Sequence, residues 1–76
     1  MEPSEAFGEA LKEVRAEKGL SQEAAALACG LDRAYFGALE RAVKSPTLKT
    51  IWKIAEALGV PPSELLLRAE RRLSRR

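Results

Sequence analysis

The chain has 76 residues, with 13 lysines and arginines against 11 acids for a net charge of +2; it is 46% hydrophobic and 32% charged. That describes one domain with one small core, neither disordered nor fibrous, and with little room for an enclosed cavity. One cysteine and no histidine exclude an internal disulfide, a cysteine-rich zinc site and histidine-based catalysis, so no enzyme, metal or cofactor is expected. No apolar run approaches the ~20 residues of a membrane helix. Residues 1–8 carry acids without a basic cluster, so no signal peptide is expected and the expected location is cytoplasmic.

Alanine and leucine dominate, and no strand-length alternation of apolar and polar residues occurs. Gly19, Gly30, Ser45-Pro46, Gly59 and Pro61-Pro62 cut the chain into five segments. The first helix is predicted from about Ser4 to Lys18, with Phe7, Leu11 and Val14 on one stripe and Gly19 just past its end. Ser21 caps a second helix reaching Ala28 or Cys29, whose alanine run lets a neighbour approach closely. Cys29 reads as a packed side chain. Gly30 makes a short turn, and Asp32 caps a third helix from Arg33 to about Arg41, with Phe36 and Leu39 facing in. Thr47 caps a fourth, with an apolar stripe of Leu48, Ile51, Ile54, Ala55 and Leu58 ended by Gly59. Pro62 opens a fifth, which passes through Leu65, Leu66, Ala69 and Leu73 and frays into the arginine tail. The expected fold is all-α, a compact bundle of five short helices. It forms a single domain over residues 1–76, with its core at about 4–67 and a basic end from 68.

The charge is unevenly laid out. Residues 1–32 carry seven acids against three bases; residues 33–53 carry five bases against Glu40; residues 68–76 carry five arginines against Glu70. Two basic zones are therefore offered to an acidic partner, with nucleic acid ahead of a membrane surface. Solvated helix faces are the plainer alternative. Two short helices joined through a glycine turn can cross as a helix-turn-helix, whose second member can enter a major groove. Its first residues, Arg33, Ala34 and Tyr35, with Gly37 and Ala38 one turn on, would then meet base edges. Arg33 has the planar fork that fits guanine.

Gly19-Leu20-Ser21-Gln22-Glu23, Gly30-Leu31-Asp32-Arg33, Tyr35, Leu39-Glu40-Arg41, Pro46, Ile54-Ala55 and Leu58-Gly59-Val60 resemble the Cro/repressor-type (XRE) helix-turn-helix family. The run from Leu31 to Tyr35, with Leu39-Glu40-Arg41, is most similar to the controller proteins of restriction–modification systems, small dimeric transcription regulators. The resemblance implies a lambda-repressor-like domain that binds double-stranded DNA at a palindromic operator. Gln22 would hold a phosphate, while Arg33, Ala34, Tyr35 and Ala38 would face the bases. Arg41, Lys44 and Thr47 would touch the backbone beyond the recognition helix. Arg15 and Glu40 match a buried salt bridge between the first and third helices. A dimer is implied, with Trp52, Leu66, Ala69 and Leu73 as candidate contacts. Trp52 fits the core boundary equally well, and the fifth-helix stripe can instead pack on the first helix.

Several residues depart from the family's pattern. Ala42 stands where glycine is usual, and in a left-handed turn it costs about 1 kcal/mol. Ala25 replaces a usual leucine, Leu27 lies on a usually polar face, and Gly37 weakens the recognition helix. Ala34, Gly37 and Ala38 offer no polar atom to a base, so readout falls to Arg33 and Tyr35, with thymine methyls and DNA shape in support. A protein-interaction module of the same fold, an antitoxin that binds a partner toxin as well as DNA, is the rival reading.

Overall fold

The structure, a computed structural model, describes residues 1–74. Within them run α1 (Pro3–Glu17), α2 (Gln22–Cys29), α3 (Arg33–Glu40), α4 (Leu48–Leu58) and α5 (Pro62–Ser74). Three helix starts follow from side chains that accept the unpaired N–H groups of a first turn. Ser21 Oγ accepts from the N–H of Ala24 at 3.0 Å, Asp32 Oδ2 from Tyr35 at 3.3 Å and Thr47 Oγ1 from Thr50 at 3.1 Å. All three are the expected caps. α1 begins one residue earlier than expected, because Pro3 suits a first helical position and the N–H of Glu2 donates to Glu5 Oε1 at 2.7 Å.

The helix ends turn through left-handed backbone. Gly30 closes α2 at φ +66°. α3 stops at Glu40, one residue short of expectation, and Arg41 is its C-cap. Ala42 then takes φ +63°, and the next N–H, that of Val43, donates back to the Ala38 carbonyl at 2.8 Å. The left-handed turn is thus kept although alanine occupies it, and the side chain costs about 1 kcal/mol there.

α1 packs on α5 and α3, α2 packs on α3 and α4, and α4 meets α5. Phe7, Leu11, Val14, Ala25, Ala26, Cys29, Phe36, Leu39, Ile51, Ile54, Ala55, Leu58, Leu65 and Ala69 form one core. Burial pushes the Cys29 thiol above its ordinary pKa, which keeps it protonated and inert. Gly8 lies where α1 meets the end of α3. A Cβ there would stand 2.5 Å from the Glu40 carbonyl oxygen and 2.8 Å from that of Leu39, so the approach needs glycine.

Three expectations about packing change. Leu48 is 67% exposed and leaves the α4 stripe. It is the first residue of that helix, and its side chain leans back past the helix start, beyond the packed surface. Trp52 is 54% exposed and is not a core residue. On α5 the expected stripe divides: Ala69 belongs to the core and Leu73 packs against it, while Leu66 is exposed beside Leu67. Burial therefore withdraws Ala69 from the candidate subunit contacts.

Candidate nucleic-acid interface

The turn between α2 and α3 is closed by two backbone bonds. Gly30 N–H donates to the Leu27 carbonyl at 3.0 Å and Leu31 N–H to that of Ala26 at 2.9 Å. Leu31 then packs against the core. This short turn directs α3 away from α2 with Phe36 and Leu39 buried beneath it. The opposite face carries Arg33 and Ala34, both exposed, with Arg41 exposed at the helix end. Residues 33, 34, 37, 38 and 41 recur on one side of a 3.6-residue helix, so these groups share a face.

Gln22, Arg33, Ala34 and Arg41 line one shallow depression over that face. Four expected DNA-binding residues are thereby brought together. Tyr35 is half-buried and packs against the core. Ala38 is only 7% exposed and gives a base little more than the edge of a methyl group. Lys44 is exposed in the loop after α3. Thr47 is also exposed, but its Oγ1 is engaged as the α4 cap and lies 2.9 Å from the Thr50 hydroxyl. With the Thr50 hydroxyl as donor in that bond, the Thr47 proton remains for a phosphate oxygen.

The acid at the C-terminal end of α3 is taken inside. The Glu40 side chain is 2% exposed and receives three N–H groups: Arg15 Nε at 2.6 Å, Arg15 Nη2 at 3.2 Å and Gln22 Nε2 at 2.8 Å. Arg15 Nη1 donates to the Leu20 carbonyl at 3.0 Å, tying the loop before α2 to the same group. The pair implied by the resemblance is thus formed. It also reaches one residue further than expected, because Glu40 holds the Gln22 amide. With the carboxylate neutralised inside, the charges left on the α3 face are Arg33 and Arg41.

The second basic zone behaves differently. Arg68 donates to Glu64 at 2.8 Å, to Glu13 at 2.8 Å and to Glu17 at 2.7 and 2.9 Å. Arg72 donates to Glu13 at 2.8 Å and lies 3.7 Å from Glu9. As α5 advances its partners recede along α1, so the two helices run antiparallel, fastened by opposite charges. The hydrogen bond from Arg68 holds the Glu17 carboxyl below its ordinary pKa, and the carboxylates hold the Arg68 guanidinium above its own. These two arginines serve the fold and are not free for an acidic partner; Arg75 and Arg76 lie outside the described residues. The stripe was readable in advance: Glu9, Glu13 and Glu17 are spaced by four, as are Arg68 and Arg72.

A glycine-turned helix pair with an exposed, cationic second helix defines a helix-turn-helix protein. Residues 11–65 match the helix-turn-helix family HTH_3, and the chain belongs to that family. It is 41% identical over 61 residues to the control protein C.BamHI of Bacillus amyloliquefaciens, covering 79% of this chain and 75% of that protein. Among solved structures it is similar to the restriction–modification controller protein C.AhdI of Aeromonas hydrophila. That likeness has a TM-score of 0.79 and 47% identity, over 82% of this chain and 94% of that one. The clp gene regulator ClgR of Corynebacterium glutamicum superposes with a TM-score of 0.93 at 28% identity, over 100% and 99% of the two chains. No helix among the described residues is long and apolar enough to cross a membrane.

Proposed function

We propose that this protein is a sequence-specific, double-stranded-DNA-binding transcriptional regulator, cytoplasmic and associated with the nucleoid, that acts as a homodimer on a palindromic operator. The observation that carries the reading is the outward face of α3. Arg33 and Arg41 are exposed there beside Gln22, and the nearby carboxylate of Glu40 is buried and paired.

In this reading α3 lies in the major groove. Arg33, at the helix start, reads guanine through two parallel N–H bonds, and Ala34 meets a thymine methyl. Tyr35, half-buried beside them, adds a contact to a base. Gln22, Arg41, Lys44 and Thr47 hold phosphates on either side and set the register. The Gln22 amide has a second N–H beyond the one given to Glu40, and its main-chain N–H belongs to the first turn of α2, where helix geometry supplies no acceptor. Two copies meet through the exposed apolar side chains of α4 and α5, Trp52 and Leu66 with Leu67, and present two α3 helices to half-sites about one helical turn apart.

Selection of bound duplexes from a random pool tests the reading. The expected result is a shared palindrome containing a guanine in each half. A bound pool with no common sequence would refute specific readout, and no retained duplex would refute DNA binding.

A further inference from the structure

Gly37 sits inside the recognition helix, where glycine weakens a helix relative to alanine. Its backbone is ordinary helix and needs no glycine for conformational reasons. The reason lies above it. A Cβ at this position would stand 2.9 Å from Arg41 Nη1 and 3.3 Å from Gln22 Oε1. Both side chains therefore fold over the space that a methyl group would fill. Gln22 is fixed there by Glu40, which Arg15 holds in turn. Arg41 lies back across α3 instead of extending from its end.

We propose that Gly37 is a positioning residue for DNA binding: by having no side chain it lets the Gln22 amide and the Arg41 guanidinium converge over α3, where together they grip the phosphate backbone. The inference rests on the DNA-binding reading above and adds a dependence on one atom. The atoms that a Cβ would displace are the far ends of flexible side chains, so the fold can absorb it. The phosphate grip cannot, because the Arg41 guanidinium must leave its seat while Gln22, held by Glu40, gives by only a few tenths of an ångström. Stability and affinity then move in opposite directions.

The test is Gly37→Ala, compared with the wild type in thermal melts and in binding isotherms on the selected duplex at several salt concentrations. The melting temperature should hold or rise. Affinity should fall about 10- to 100-fold, the scale of losing a hydrogen bond to a charged group. The slope of log affinity against log salt should flatten by about one per subunit. In a Gln22→Ala/Arg41→Ala background the same substitution should cause no further loss. Unchanged affinity and slope would overturn the proposal, as would a lowered melting temperature or an equal further loss in that background. Failure of the wild type to bind any duplex is a separate result, which removes the DNA-binding reading and this inference with it.

Discussion

Removing Arg15 leaves a carboxylate with 2% of its side chain exposed and only the Gln22 amide to satisfy it. Breaking a buried pair in this way costs about 3–5 kcal/mol, because the remaining charge keeps its desolvation penalty. Removing Glu40 is milder. The Arg15 side chain is 20% exposed and keeps its bond to the Leu20 carbonyl, so its charge can rehydrate; the loss is about 1–3 kcal/mol. A domain of this length has about 4–11 kcal/mol in all, so Arg15→Ala removes a larger share of it than Glu40→Ala does. Once Glu40 is absent, removing Arg15 strands nothing, and the double variant should lie near Glu40→Ala. The coupling then equals the Arg15→Ala loss, about 3–5 kcal/mol. Urea titrations of the two single variants and the double variant measure it. Losses that add to within about 0.5 kcal/mol would refute the coupling, as would Glu40→Ala proving the more damaging.

Ala42→Gly should stabilise the fold by about 1 kcal/mol by relieving the left-handed alanine, visible as a rise of roughly 4–8 °C in the melting temperature. An unchanged or lower value would count against strain at that turn. Gly8→Ala should destabilise by about 3 kcal/mol in the same melts, because its Cβ meets main-chain oxygens of Leu39 and Glu40 that cannot swing aside. Acid should loosen the contact between α1 and α5. The folded-state pKa of Glu17 is depressed by Arg68, so its contribution is present above about pH 4.5 and is lost as pH falls toward the depressed value. In melts from pH 6 to 3, Arg68→Gln should flatten that decline; an identical decline would show that the pair is not the cause.

The helices were legible because their signals are local. Ser21, Asp32 and Thr47 cap within three residues of themselves, and Gly30 and Gly59 close helices by their own backbone freedom. The Arg15–Glu40 pair reached across 25 residues only through family resemblance, since single charges on two helices carry no register. What escaped depended on the third dimension. Leu48 obeys the α4 period but sits at the helix start, where periodicity does not report whether anything lies opposite. Gly8 and Gly37 are glycines without a turn, and their reason is a neighbour's atoms rather than their own φ. Ala38 faces the expected side of α3, yet it is buried, which the helical period alone does not report. Arg68 and Arg72 looked available because charge was summed along the chain and not matched against the four-residue spacing of acids on α1.

The central claim is that α3 reads bases while its flanks hold phosphates, and Arg33 separates the two most directly. The measurement is a set of binding isotherms for wild type, Arg33→Ala and Lys44→Ala on the selected site, on each single-base variant of it and on unrelated DNA. Arg33→Ala should lose about 1–3 kcal/mol on the selected site and accept any base at one position per half-site. Lys44→Ala should weaken all duplexes alike and flatten the salt slope by about one per subunit. Arg33→Ala weakening every duplex equally, with discrimination intact at every position, would make Arg33 a phosphate contact and contradict base reading by the start of α3.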